Sequence, residues 1–211
     1  MKVSGFIFDM DGTVIDSTKH DFNAWKKVMH EKRIDFPYND FLALLGAKGE
    51  EIVKKFLDIP KDQIDALLEK KEAVFQEIAS LNGLLPMPGV VDFLEKIKAK
   101  GLRIALATGA GRTKLDYIFK RIEVSQYFQE IITANEIQKG KPDPEIFLKA
   151  AEKLGIRPEE AIVVEDAPNG LRAAKHAGMR CLAITSTHSR QSLQGADFIV
   201  DHYDDFDWNN V

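Results

Sequence analysis

The stretch Phe6-Ile-Phe-Asp-Met-Asp-Gly-Thr-Val-Ile-Asp-Ser17 decides the fold. Its approach, Val3 to Phe8, reads as a short buried strand. Three carboxylates then follow, Asp9, Asp11 and Asp16, with Gly12-Thr13 after the second. Acids are rarely buried without a partner, so packing alone does not account for them at the end of a core strand. The strand must deliver them to a place where charge is useful.

Working outward, the pattern turns helical from Asp16. Phe22, Trp25, Val28 and Met29 recur at three- and four-residue steps, on one helix face. Ile52, Val53, Phe56 and Leu57 repeat it, as do Ile64, Leu67, Leu68, Val74, Phe75 and Ile78 after a helix start at Pro60 and Asp62. After the breaker cluster Pro86-Met-Pro-Gly89, helices and short β-rich runs alternate. The expected order is helix Val90 to Lys100, strand Arg103 to Ala107, helix Lys114 to Glu123, and a strand at Ile131 and Ile132. A helix capped by Asp143 and opened by Pro144 comes next, then strand Ala161 to Val164 and helix Pro168 to Ala177. Strands Cys181 to Ile184 and Phe198 to Val200 complete it. Such alternation means a parallel sheet with covering helices. The expected fold is an α/β, Rossmann-like parallel-sheet core from residues 1–16 and 85–211, with a helical cap of residues 17–84 inserted after the first strand.

In open parallel sheets, ligands bind outside the carboxyl ends of the strands. Those ends bring Asp9 and Asp11, then Thr108-Gly-Ala-Gly111, then Gly140-Lys-Pro-Asp-Pro144 after a detour, then Glu165-Asp166. One rim thus collects acids, a hydroxyl beside flexible backbone, and a lysine. These parts suit phosphoryl transfer. A carboxylate can attack phosphorus, and a second can protonate the leaving oxygen and later activate water. Thr108, backbone N–H groups and Lys141 can hold the charged oxygens. Crowded carboxylates need a cation to join them, and Mg²⁺, which prefers oxygen ligands and binds phosphate, is the natural choice.

Asp9-Met-Asp-Gly-Thr13, Thr108, Lys141-Pro142 and Glu165-Asp166 resemble, in order, the four motifs of the haloacid dehalogenase-like (HAD) phosphohydrolases. The helical insert resembles the cap of the branch that includes β-phosphoglucomutase and phosphoglycolate phosphatase. The resemblance implies that Asp9 is the nucleophile and a metal ligand. Asp11 would be the general acid/base, with its backbone carbonyl on the metal. Thr108 and Lys141 would hold the transferring phosphoryl group, with Gly109 beside them. Asp166 would bind Mg²⁺ directly, and Glu165 directly or through water. The presence of Asp11 favours phosphate ester chemistry, because dehalogenases of the family lack that acid.

The cap departs from the mutases. They carry a histidine in a His-x-x-Ala-Trp context, where this chain has Asp21-Phe-Asn-Ala-Trp25 and His20 one position early. Their Gly-x-Ser-Arg loop corresponds to Gly46-Ala-Lys-Gly49, without the arginine, leaving Lys48 in that region. Many relatives place Ser or Asn where this chain has Gly109. The expectation is a Mg²⁺-dependent phosphatase acting on a small phosphorylated metabolite, with His20, Asp21 and Lys48 as cap contacts to the substrate. A sugar-phosphate mutase and a non-catalytic binding protein on the same fold are the alternatives.

Composition excludes other classes. Cys181 is the lone cysteine, so neither an internal disulfide nor a cysteine-rich metal site is available. Its neighbours are apolar, and it is expected in the core. Lys and Arg are spread thinly and the net charge is −4, so no nucleic-acid partner is expected. No apolar run approaches a membrane span and no signal peptide is visible, so the expectation is a cytoplasmic protein, taken as a monomer by default. Asp16 is expected to cap the first cap helix, and the acids from Asp201 to Asp207 to form a solvated tail.

Overall fold

A computed structural model describes residues 2–211. The chain runs from β1 (Gly5–Phe8) through α1 (Thr18–Glu31), α2 (Tyr38–Leu44), α3 (Gly49–Phe56) and α4 (Lys61–Asn82). It continues with α5 (Val90–Ala99), β2 (Arg103–Ala107), α6 (Arg112–Phe119), β3 (Glu130–Ile132) and α7 (Glu145–Leu154). The last elements are β4 (Ala161–Glu165), α8 (Pro168–His176), β5 (Arg180–Ile184) and β6 (Phe198–Val200). Among the described residues six strands form one all-parallel sheet in the order β3-β2-β1-β4-β5-β6. The chain therefore steps to one side of β1 through β2 and β3, then crosses to the other side at β4. Such a switch point opens a crevice at the carboxyl ends of the central strands.

The strands read as continuous apolar runs because both faces are covered. Side chains alternate between two cores, as a period of two requires. Phe6, Phe8, Ile104, Leu106, Ile162 and Val164 face a large cluster shared with α5, α6 and the carboxyl-terminal Tyr203 and Phe206. Ile7, Ala105, Ala107, Ala161 and Val163 face the opposite cluster, built with Ile146, Phe147, Ala150 and Ala173 of α7 and α8. Cys181 lies in this second core, buried as expected.

Helices α1 to α4 form the inserted cap, with α1 packed along α4. The apolar face expected around Trp25 is there: Trp25, Val28 and Met29 are buried, and Trp25 packs on Phe36. The two connections to the core run side by side. Asp16 N–H donates to Leu85 O, Met87 N–H donates to Val14 O, and Ile15 bridges Pro86.

Three local expectations are corrected. Asp16 is exposed and does not cap α1. Ser17 holds the cap position, and its hydroxyl donates to the Asp11 carboxylate instead of closing the helix. The helix expected over 114–123 runs from Arg112 to Phe119. It starts early because Asn135 Oδ1 accepts the Arg112 N–H at 2.9 Å, and residues 120–124 are turns. Pro144 holds the cap position of α7, one residue after the expected Asp143, whose Oδ1 accepts the Glu145 N–H at 3.0 Å. Asp201, Asp204, Asp205 and Asp207 are exposed, as expected.

Candidate active site

The central strand β1 ends by delivering Asp9 into a cleft of about 770 Å³ between the sheet rim and the cap. Lys141 reaches the same point from the loop before α7. Its ammonium lies 2.5 Å from Asp9 Oδ1 and 2.6 Å from Glu165 Oε1. All three side chains are almost wholly buried. Burial pushes the Asp9 carboxyl up to about 7, against the opposing pull of Lys141. Burial also works against the Lys141 charge, but Asp9 and Glu165 outweigh it and hold that ammonium above its usual range.

Asp9, Glu165 and Asp166 each present an oxygen within 4.8 Å of the others, a set able to hold a metal ion. Asp166 is held by Thr13, whose hydroxyl donates to Oδ1 at 2.9 Å, and by the Thr187 hydroxyl on Oδ2. Its carboxyl is raised well above the ordinary range, first by burial and then by Glu165 and Asp9. Hard oxygens crowded out of water in this way match the demand of a small divalent cation. Glu165 is turned partly toward Lys141, and its Oε2 accepts the N–H groups of Asp166 and Ala167 at 2.9 and 3.0 Å. Gly12 sits at φ 80°, and a Cβ there would run into the Asp166 carboxylate, so glycine is required twice over.

Thr108 and Gly109 line the cleft after β2. Thr108 is buried, and its Oγ1 accepts the Ala110 N–H at 3.0 Å, which shapes the turn. A Cβ on Gly109 would lie 2.7 Å from Gly46 O, so a larger residue is excluded while the cap is down. Asp11 lines the cleft and joins a buried charge network. Lys114 of α6 lies 2.8 Å from Asp11 and 3.0 Å from Asp21, and Lys71 of α4 lies 2.7 Å from Asp21. Burial works against the Asp21 charge, but Lys114 and Lys71 prevail and hold its carboxyl far below the usual range.

The structure therefore brings Asp9, Asp11, Thr108, Gly109, Lys141, Glu165 and Asp166 together at one rim. The cap residues are placed differently. Asp21 lines the cleft, but both lysines hold its carboxylate. Lys48 also lines it, yet its ammonium donates to Ile137 O at 2.7 Å and Gln138 O at 3.3 Å. His20 is outside the lining residues, and its ring nitrogens are buried without a hydrogen bond among the described residues.

Several partners had no signal in the sequence. Lys114 and Lys71 are isolated lysines in ordinary helical sequence. Asn169 of α8 donates at 3.0 Å to both Ala43 O and Leu45 O, and Gly140 N–H donates to Glu51 Oε1 at 2.9 Å. With Lys48, these bonds dock the cap on the core.

Fold and site together define an α/β enzyme with a buried carboxylate and lysine centre under an inserted helical cap. Residues 6–184 match the haloacid dehalogenase-like hydrolase family, and the chain belongs to it. The phosphorylated carbohydrates phosphatase of Thermotoga maritima is 34% identical over 182 residues, covering 82% of this chain and 81% of that protein. The β-phosphoglucomutase of Bacillus subtilis is 30% identical over 204 residues, covering 92% and 87%. A crystal structure of a hydrolase from Pseudomonas syringae aligns with a TM-score of 0.87 at 26% identity, covering 95% of this chain and 94% of that one.

Proposed function

We propose that the protein is a Mg²⁺-dependent phosphatase of small phosphorylated carbohydrates, working through an aspartyl-phosphate on Asp9. The observation that carries this is the Asp9–Lys141 contact of 2.5 Å at the floor of the cleft, within 4.8 Å reach of the Glu165 and Asp166 carboxylates. The names of the Thermotoga and Bacillus relatives support a phosphorylated carbohydrate as the substrate.

Asp9 attacks phosphorus, and the ester oxygen leaves as Asp11 gives it a proton. Asp11 then takes a proton from the water that hydrolyses the acyl phosphate. Lys141 and Thr108 hold the phosphoryl oxygens, and Lys141 favours the ionised form of Asp9 against the effect of burial and aims it. Asp9, Asp166, the Asp11 carbonyl and Glu165 would hold Mg²⁺, which supplies charge neutralisation for the carboxylates and phosphate. Residues 17–84 act as a cap that excludes bulk water and meets the leaving group.

Phosphatase is favoured over mutase by the state of Asp21. It stands where the mutases carry their cap histidine, and its carboxylate is shared by Lys71 and Lys114. A cytoplasmic monomer that acts without a nucleic-acid or membrane partner is part of this proposal. Among the described residues no helix is long and apolar enough to cross a membrane. The test is phosphate release from a panel of sugar monophosphates with and without Mg²⁺, alongside Asp9→Asn. Metal-dependent release abolished by Asp9→Asn is expected. Isomer formation primed by a bisphosphate, with little free phosphate, would support the mutase instead. Ligand binding without any turnover would support the binding protein.

A further inference from the structure

The loop that presents Lys141 is held from two sides. From the core, Glu145 Oε2 accepts the Gln138 and Lys139 N–H groups, each at 2.9 Å, and the Asp143 N–H donates to Gly140 O at 3.0 Å. From the cap, the Lys48 ammonium donates to Ile137 O at 2.7 Å and to Gln138 O at 3.3 Å. Glu51 Oε1 accepts the Gly140 N–H at 2.9 Å. The other Glu51 oxygen accepts the Lys48 N–H at 3.2 Å, which ties the two cap residues into one unit at the start of α3.

Gly140 directly precedes the lysine, and its polar groups are divided between core and cap. Its carbonyl is fixed by Asp143 and its N–H by Glu51. Glycine has the freest backbone of any residue, so both bonds are needed to fix the peptide from which Lys141 springs. The approach is close as well. A Cβ on Gly140 would lie 2.6 Å from Lys48 N and 2.6 Å from Glu51 Oε2. The cap also reaches the lysine itself, since a Cβ on Gly46 would lie 3.1 Å from Lys141 Cδ. From the core, the Phe147 ring centroid lies 4.8 Å from the Lys141 ammonium. Lifting the cap would leave Glu145, Asp143 and Phe147 in place and remove the acceptor of Gly140, the donor to both carbonyls and the cover of the lysine stem.

We propose that, given the phosphatase function above, Glu51 and Lys48 are positioning residues that make the phosphoryl-holding lysine conditional on the cap. The closed cap clamps residues 137–140, and Lys141 takes its working place between Asp9 and Glu165 under that clamp. Closure then does more than exclude water, because it assembles part of the catalytic centre.

The test measures kcat and KM for p-nitrophenyl phosphate with Mg²⁺ in the full chain and in Glu51→Ala, Glu51→Gln and Lys48→Met. Asn169→Ala serves as the reference for docking alone, because Asn169 bonds the cap at Ala43 O and Leu45 O and not the lysine loop. Glu51→Ala is expected to lower kcat about tenfold or more with KM within about twofold of native, since the acceptor is missing even when substrate holds the cap down. Glu51→Gln keeps an oxygen for the Gly140 N–H and should stay within about threefold of the native kcat. Lys48→Met should lower kcat in the same direction as Glu51→Ala, and Asn169→Ala should keep it. A native kcat with only a raised KM in Glu51→Ala overturns the proposal, because the residue then docks the cap and nothing more. So does an equal loss of kcat in Glu51→Gln, or in Asn169→Ala. Should the native protein hydrolyse no p-nitrophenyl phosphate, the phosphatase function fails instead, and hydrogen–deuterium exchange of residues 137–141 reads the clamp. Faster exchange there in Glu51→Ala than in Asn169→Ala upholds it, and equal rates remove it.

Discussion

Lys114 of α6 sets its ammonium 2.8 Å from the Asp11 carboxylate, and the same ammonium lies 3.0 Å from Asp21 of α1. The side chain is 1% exposed. The proposed acid/base of the core is thus joined to the cap through one buried lysine. Breaking a buried pair by removing one partner leaves an uncompensated charge, at a cost of about 3–5 kcal/mol. Lys114→Met should therefore lower unfolding free energy by several kcal/mol in denaturant titration. It should also reduce kcat by more than about tenfold, because Asp11 loses the group that orients it. An unchanged kcat at unchanged stability would show that the pair has no role in either.

Asp9→Asn should abolish turnover, by about 10³-fold or more, while leaving the circular dichroism spectrum intact. The native carboxylate is costly to bury, as its upward shift to about 7 records, so an uncharged side chain of the same shape is tolerated. Residual activity near the native level would place the nucleophile elsewhere.

The acids of the site pull stability in opposite directions with pH. Asp9 is raised from 3.8 to about 7, so the folded state binds more protons than the unfolded one in that window. Its contribution falls as pH rises from about 4 to about 7. Asp21 is depressed below 3.8, so its stabilisation is present above that value and is lost in stronger acid. A divalent cation must displace the Asp9 proton below neutrality. Mg²⁺ should therefore raise the melting temperature of the metal-free protein more at pH 8 than at pH 5.5. Equal shifts at both values would mean that Asp9 is not a ligand.

Asn169 closes the cap by donating to the Ala43 carbonyl near the end of α2 and to the buried Leu45 carbonyl just beyond it. Asn169→Ala leaves both unsatisfied, a penalty of about 1–3 kcal/mol against the closed form. KM for a sugar phosphate should rise severalfold, with a smaller change for an aryl phosphate. Limited proteolysis at 83–87 should speed up. Identical cleavage rates in the two proteins would show that this bond does not govern closure.

What the sequence reveals is what is encoded locally. An apolar run that ends in acids, followed by three more polar strand ends in order, makes the sheet and its reactive rim legible, because each motif carries its meaning within a few residues. The cap side is different. Asp21 was expected to meet substrate, but its partners Lys71 and Lys114 lie on two other helices, and neither is marked by its neighbours. Lys48 likewise finds carbonyls of Ile137 and Gln138, far along the chain. Asp16 has the composition of a cap, but Ser17 takes that position and turns its hydroxyl to Asp11. Contacts of this kind exist only after the helices are packed, so periodicity and composition cannot carry them.

The adjacent crossings at Ile15 and Pro86 have a consequence for how such proteins diversify. Because the excursion leaves and returns at neighbouring points, the core has the same boundary condition whatever lies between. Closing a longer or shorter excursion changes the chain entropy only slowly with its length. Substrate preference can then be rewritten by exchanging one contiguous block of residues, while the strand that presents Asp9 keeps its neighbours, its register and its chemistry.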